Sequence, residues 1–139
     1  MIIFVVLFSR ILKTAPGNSG RNTEYEPVAI TQTPLLTLTT DFGREDFHLA
    51  RLKAHLFSAH RELRIVDVSH EIPTYDIVRA AFIFNRVWRH YPEGTIHLIS
   101  VNDYYQPRGR FLAIRHERQY FIGPDNGIFS LVFGKMPTE

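Results

Sequence analysis

Strand-like and helix-like segments alternate between residues 35 and 101, and their order limits the folds open to this chain. Three runs rich in apolar and β-branched residues have the length of strands, at 35–40, 63–68 and 95–101. Between them, residues 47–60 and 76–90 repeat apolar side chains every three or four positions, as amphipathic helices do. Such alternation places parallel strands in one sheet with helices on its faces. The sequence therefore predicts an α/β fold, a three-layer domain with a mostly parallel sheet flanked by helices.

The segments that follow extend the same domain. Residues 111–114 and 119–122 have the composition of two further short strands, and a Pro-Asp-Asn-Gly turn at 124–127 precedes the apolar segment 128–133. A chain of 139 residues that is 45% hydrophobic suits one globular core. We expect residues 35–139 to form this domain, and residues 1–34 to be an apolar extension and linker that is poorly ordered. The alternatives for the apolar first thirteen residues are an extra strand or helix packed on the domain, or an export segment.

Charge, cysteine content and hydropathy argue against several classes of protein. Sixteen Lys and Arg against 14 Asp and Glu give a formal charge of +2, which does not favour a nucleic-acid partner. The chain has no cysteine, so it has neither disulfides nor a thiolate metal site, which is typical of a cytoplasmic protein. The apolar run at residues 1–8 is far shorter than the ~20 residues of a membrane span. We therefore expect a cytoplasmic protein with no membrane partner.

The first predicted strand ends at Asp41-Phe42-Gly43, which makes Asp41 the first candidate functional residue. Open α/β sheets bind ligands at the carboxyl ends of their strands, so a carboxylate at this position is well placed to contact one. The alternative is that Asp41 only caps the turn or helix that follows.

Other polar residues in the predicted strands and turns are weaker candidates. Asp67 and His70 form an Asp-x-x-His pair after the second strand, with Asp41, Asp46 and His48 nearby in sequence. No recognised spacing of metal ligands accompanies them, so we predict no metal site.

A further histidine lies inside a strand. His97 interrupts an apolar run, which favours a hydrogen-bonded core histidine over a catalytic one.

Five short motifs occur in order along the chain and together point to a known family. They are Thr-Leu-Thr-Thr-Asp-Phe-Gly at 37–43, Ile-Val-Asp-Val-Ser-His at 65–70, Ile-x-x-x-Asp-Ile at 72–77, Pro-Glu-Gly-Thr-Ile-His at 92–97 and Pro-Asp-Asn-Gly at 124–127. With these motifs, residues 36–133 resemble the amino-terminal domain of the S-adenosylmethionine (SAM) hydroxide adenosyltransferases, relatives of the fluorinase and chlorinase.

The resemblance implies a small-molecule substrate, SAM, and no cofactor. The expected reaction is that of a SAM hydrolase, in which water displaces methionine from the ribose C5′ to give adenosine. Asp41 matches the family's aspartate that accepts hydrogen bonds from the ribose hydroxyls. Phe42 and Tyr75 are further candidate substrate-binding residues. Tyr75 matches a position beside the substrate that is aromatic in the halogenases, but it is equally well explained as an ordinary half-exposed aromatic residue.

The segment after the third strand departs from the family pattern. The hydrolases carry Asp-Pro-Gly-Val-Gly there, followed by paired arginines, and the aspartate and one arginine orient the attacking water. Aligned without gaps, Asn102 replaces that aspartate and Gly109 replaces the arginine. A shift of one residue restores an acid at Asp103, with Arg108 and Arg110 beside it. The catalytic candidates are therefore Asn102, Asp103, Arg108 and Arg110, with the register left open.

The family's carboxy-terminal β domain, with its His-Gly-Arg-Asp segment, has no counterpart in this sequence. In the family that domain completes the site of a neighbouring subunit in a trimer, so the resemblance implies a homotrimer only weakly here. We expect a truncated enzyme or a fragment, inactive as 139 residues alone. The alternative is an inactive remnant that keeps the fold and at most weak binding of adenosine or another nucleoside.

Overall fold

The computed structural model describes residues 33–103 and 109–134. Most of the predicted extension at 1–34 lies outside these residues, and the boundary at residue 34 stays a prediction. The strands are β1 (Leu35–Thr40), β2 (Arg64–Ser69), β3 (Ile96–Ser100), β4 (Phe111–His116) and β5 (Gln119–Pro124). The helices are α1 (His48–Ala59), α2 (Ile77–Asn85), a 3₁₀ helix (Trp88–His90) and α3 (Ile128–Phe133).

The described strands form one sheet in the order β2-β1-β3-β5-β4. β1 pairs in parallel with β2 and β3, and β3 pairs in parallel with β5. Only β4 is antiparallel, because it is joined to β5 by a tight turn at Glu117 and Arg118. This arrangement confirms the predicted α/β fold with a mostly parallel sheet.

Each face of the sheet is covered by helices, and alternate strand residues supply the two cores. On one face, Leu36 and Leu38 of β1 pack with Leu52 and Leu56 of α1. On the other face, α2 and α3 cover a second cluster, whose largest members are Phe84, Trp88, Phe121 and Phe129. The three layers of the prediction are therefore helix, sheet and helix.

His97 lies fully buried in β3, with both ring nitrogens hydrogen bonded. The side-chain amide of Gln119 donates to the carbonyl of Tyr91, so its oxygen faces Nε2 of His97, which then carries the proton. Nδ1 accepts from the hydroxyl of Thr37 at 2.7 Å. Burial lowers the pKa of His97 to about 4, and the contact with Gln119 opposes this only in part. The prediction of a core histidine is confirmed.

The second predicted helix is shorter than its apolar pattern suggested. It ends at Asn85, and a 3₁₀ helix follows at Trp88–His90. The amides of Arg86 and Val87 bond to carbonyls three residues back, which tightens the chain there. This tightening accompanies full burial of Trp88, whose ring centroid lies 5.2 Å from that of Phe121.

Among the described residues, no helix is both long and apolar enough to cross a membrane.

Candidate functional site

The carboxyl ends of the parallel strands lie at one edge of the sheet, and the strand order there defines a crevice. From β1, the chain goes first to β2 on one side and later to β3 on the other. Ligands of open α/β proteins bind where the strand order reverses in this way. Asp41 follows β1 and Asn102 follows soon after β3, so both lie at this position.

The carboxylate of Asp41 joins segments that are distant in sequence. Its Oδ2 accepts the backbone N–H of Tyr75 at 3.0 Å and that of Asn102 at 3.1 Å. Its own backbone N–H donates to the carbonyl of Ser100 in β3. Asp41 therefore does more than cap a local turn, because it ties the ends of β1 and β3 to the loop before α2.

Both donors to Asp41 have unusual backbone conformations. Tyr75 has φ of 67° and Asn102 has φ of 54°, values that residues other than glycine rarely adopt. Asparagine tolerates this region better than tyrosine does. Backbone strain of this kind persists where surrounding contacts impose it, and it is common at functional sites. Here the positive φ of Tyr75 and of Asn102 accompanies the hydrogen bonds that both backbone N–H groups donate to Oδ2 of Asp41.

Replacing Tyr75 with glycine should raise the free energy of unfolding by about 1 kcal/mol, because glycine adopts positive φ without a Cβ penalty. The ring is 55% exposed, so its removal costs little burial. Tyr75→Ala is the matched control, since it removes the same ring but keeps Cβ, and it should give no gain. Urea unfolding of both variants checks this. Equal stabilities of the glycine and alanine variants would contradict a strained backbone at residue 75.

Asp103 lines a small open cleft at the same edge of the sheet. Other residues of its wall are Asn102, Gly109, Arg110, Phe111, Pro124, Asp125 and Asn126. The carboxylate accepts a hydrogen bond from the hydroxyl of Ser100. Burial raises the pKa of Asp103, and the charge of Asp41 adds to that rise, while the bond from Ser100 opposes it. Asp103 is therefore a better proton acceptor than an exposed carboxylate.

The predicted catalytic residues are only partly brought together. Asn102, Asp103 and Arg110 line the same cleft, but the guanidinium of Arg110 pairs with Asp125 at 2.6 Å. Asn102 contacts Asp41 through its backbone N–H. Arg108 lies outside the described residues, so the register of the Asp and Arg candidates stays a prediction.

Phe42 and Tyr75 flank Asp41 in different ways. Phe42 packs partly against the core under α1, and its ring centroid lies 5.9 Å from that of His48. Tyr75 is exposed at the start of α2, whose first turn is capped by Asp76 through the N–H of Arg79. Their roles toward a substrate stay predictions.

Three residues at this edge of the sheet make contacts that the sequence did not predict. Ser100 holds Asp103, and Asp125 holds Arg110. His70 bonds to Thr40 beside Asp41 through Nδ1, at 2.8 Å. The motifs at 65–70 and 124–127 contain two of these residues, but no spacing rule pairs either with its partner. Within the described residues, no group of three or more His, Asp and Glu is arranged to hold a metal ion.

Comparison with known protein families shows which family this chain belongs to. Residues 36–139 match the model of the SAM hydroxide adenosyltransferase N-terminal domain. The chain belongs to this family. Its resemblance to the family, predicted from five motifs, is therefore confirmed.

Curated relatives and solved structures agree with this assignment. The (R)-S-adenosyl-L-methionine hydrolase of Methanocaldococcus jannaschii is 26% identical over 73% of this chain and 40% of its own length. The enzyme of the same name from Thermus thermophilus is 34% identical over 68% of this chain and 36% of its own length. The crystal structure of a conserved hypothetical protein from Thermus thermophilus matches with a TM-score of 0.62 and 32% identity, over 73% of this chain and 42% of that one. The chain thus spans about two fifths of the length of these relatives.

Proposed function

We propose that this domain holds the ribose of SAM through Asp41 and takes part in the displacement of methionine from C5′ by water. The main support for the proposal is that two backbone N–H groups, of Tyr75 and Asn102, donate to Asp41 at the point where the strand order reverses. The names of the curated relatives support the choice of substrate and reaction.

The carboxylate of Asp41 is suited to a vicinal diol. Both backbone donors bind Oδ2, and within the described residues no hydrogen bond goes to Oδ1. The side chain is half-buried, so part of it stays accessible. An ionised carboxylate only accepts hydrogen bonds, and the two ribose hydroxyls have O–H groups to donate. Bonds of this charged kind contribute more than neutral ones.

The reaction requires positioning more than acid catalysis. The C5′–S bond breaks and its electron pair goes to the sulfonium, which becomes the neutral thioether of methionine. Water forms the new C5′–O bond and loses a proton. Because the leaving group departs neutral, the domain needs only to hold the ribose, align the water and limit access of solvent.

Asp103 is our candidate to orient the water and accept its proton. It lines the cleft beside Asn102, and its raised pKa favours proton acceptance. The amide of Asn102 can hydrogen bond a water but cannot act as a base. Arg110 lines the same cleft and would supply positive charge at its rim.

A second candidate function is binding of adenosine without turnover. The pairing of Arg110 with Asp125 favours it, because an arginine engaged there is not held against Asp103.

The proposed reaction is tested by incubating the full chain with SAM in water enriched in ¹⁸O. We expect adenosine that carries the label at its 5′ oxygen, together with an equal amount of methionine. The (R) and (S) sulfonium epimers are run in parallel, because the relatives are named for the (R) form. Asp103→Asn should abolish the product, while Glu93→Gln, at the opposite edge of the sheet, should not.

Two outcomes would contradict the proposal in different ways. In the first outcome, adenosine forms no faster than without protein, but calorimetry still detects adenosine binding. This result would contradict hydrolysis and support nucleoside binding. If the chain forms no adenosine from SAM and also binds no adenosine, both candidate functions are overturned for this chain.

A further inference from the structure

His70 is attached to the turn at residues 40–43 by both its backbone and its side chain. Its carbonyl accepts the N–H of Gly43 at 2.9 Å. Its Nδ1 lies 2.8 Å from the hydroxyl oxygen of Thr40. Asp41 lies between these two attachment points. His70, which directly follows β2, therefore contacts the chain on both sides of the candidate ribose-binding carboxylate.

The surroundings of the imidazole fix the direction of its hydrogen bonds. Nε2 of His70 lies 3.1 Å from Oδ1 of Asp67, within ion-pair distance but without the alignment of a hydrogen bond. The other oxygen of Asp67 is 2.7 Å from Nζ of Lys53. A carboxylate beside Nε2 favours the proton on that nitrogen. Nδ1 then accepts the hydroxyl proton of Thr40, whose oxygen in turn accepts the N–H of Phe42 at 3.3 Å.

The order Asp67, His70 and Thr40 resembles that of a nucleophilic triad, but burial excludes such a role. Thr40 and His70 both have 0% exposed surface, so no substrate reaches the hydroxyl. The chain of hydrogen bonds instead ends on the backbone of Phe42, the residue after Asp41. Its effect is therefore on the conformation of the turn.

We propose that His70 is a positioning residue, which acts through Thr40 to fix the carboxylate of Asp41 for the ribose hydroxyls. This inference rests on the proposed function, since it assigns a role to a residue that touches no substrate. The backbone bond beside Thr40 is longer, because the N–H of Asp41 lies 3.3 Å from the carbonyl of Ser100. The shorter bond at His70 is accordingly the main side-chain restraint on Thr40.

Three substitutions separate positioning from a general structural role. The amide of His70→Asn reaches the place of Nδ1 and can still bond to Thr40, whereas the amide of His70→Gln reaches the place of Nε2. His70→Leu keeps most of the bulk but loses both the bond to Thr40 and the contact with Asp67. We expect adenosine affinity to fall about tenfold or more in the Gln and Leu variants and to be close to wild type in the Asn variant.

Trp88→Phe is the control for loss of stability alone. This buried ring contacts Phe121 and Phe133 and none of the turn, so the variant should bind adenosine normally even if it melts at lower temperature. A merely structural His70 would lower the melting temperature in all three variants without separating Asn from Gln.

Hydrogen exchange gives a readout that needs no ligand. The backbone N–H groups of Tyr75 and Asn102 donate to Asp41, so they should exchange faster in the Gln and Leu variants and normally in the Asn variant. Unchanged exchange at both amides in His70→Leu would overturn the inference. Faster exchange in a protein that does not bind adenosine even as wild type would overturn the proposed function but leave the positioning role of His70 in place.

Discussion

Replacing Asp41 with asparagine should lower the affinity for adenosine about 100-fold while the domain stays folded. The amide oxygen can still accept the N–H groups of Tyr75 and Asn102, which now bind Oδ2. The amide nitrogen then replaces the second oxygen and offers donors where the ribose hydroxyls need an acceptor. Two hydrogen bonds to a charged group at about 1.5 kcal/mol each correspond to a loss of this size. Isothermal titration calorimetry with adenosine measures it.

A ligand without the diol makes this test specific. Wild type should bind 2′,3′-dideoxyadenosine about 100-fold more weakly than adenosine, whereas Asp41→Asn should bind the two about equally. Glu93→Gln is the control for removing one negative charge, since Glu93 pairs with Arg118 at the opposite edge of the sheet. If Asp41→Asn still preferred adenosine as strongly as wild type, the carboxylate would not be the diol acceptor.

Acidification should destabilise the domain through His97. Its pKa is lowered from 6.5 to about 4 by burial, so between these values the unfolded chain binds a proton that the folded chain does not. The free energy of unfolding should therefore fall as the pH falls, by about 2–3 kcal/mol between pH 7 and pH 4.5. Urea unfolding across this range measures the slope.

Comparison with His97→Gln isolates this contribution. The raised pKa of Asp103 acts in the opposite direction, because the folded state then binds a proton more readily than the unfolded state. The variant keeps Asp103 and lacks the imidazole, so its stability should fall less with acid than that of wild type. Phe129→Leu, a core variant that retains His97, should keep the wild-type slope. Parallel slopes for wild type and His97→Gln would show that His97 is not buried in its neutral form.

Most of the fold follows from the sequence because its elements are strongly patterned. The strand at Leu35–Thr40 was predicted with its observed bounds, and β3 was predicted within one residue at each end. The helix after Asp76 was predicted too long. The apolar period continues through Trp88, and a period of three to four residues does not distinguish an α-helix from the 3₁₀ turn that follows it.

The candidate site was less predictable than the fold. Asp41 could be placed at the carboxyl end of a strand, since a carboxylate directly follows a buried apolar run. Its bonds to Tyr75 and Asn102 could not be predicted, because both donors are backbone groups and any residue type supplies them. The pairing of Arg110 with Asp125 joins residues 15 apart, and other acids were equally available in sequence.

The sequence by itself determined the α/β class and the family, and it made Asp41 the first candidate residue, because hydropathy period and collinear motifs are properties of residue order. The tertiary structure decided which oxygen of Asp41 accepts the two backbone N–H groups, that His70 bonds to Thr40 beside it, and that Arg110 pairs with Asp125. These are distances between residues far apart in the chain. They depend on strand order and backbone conformation, including the positive φ of Tyr75 and Asn102, which no local pattern specifies.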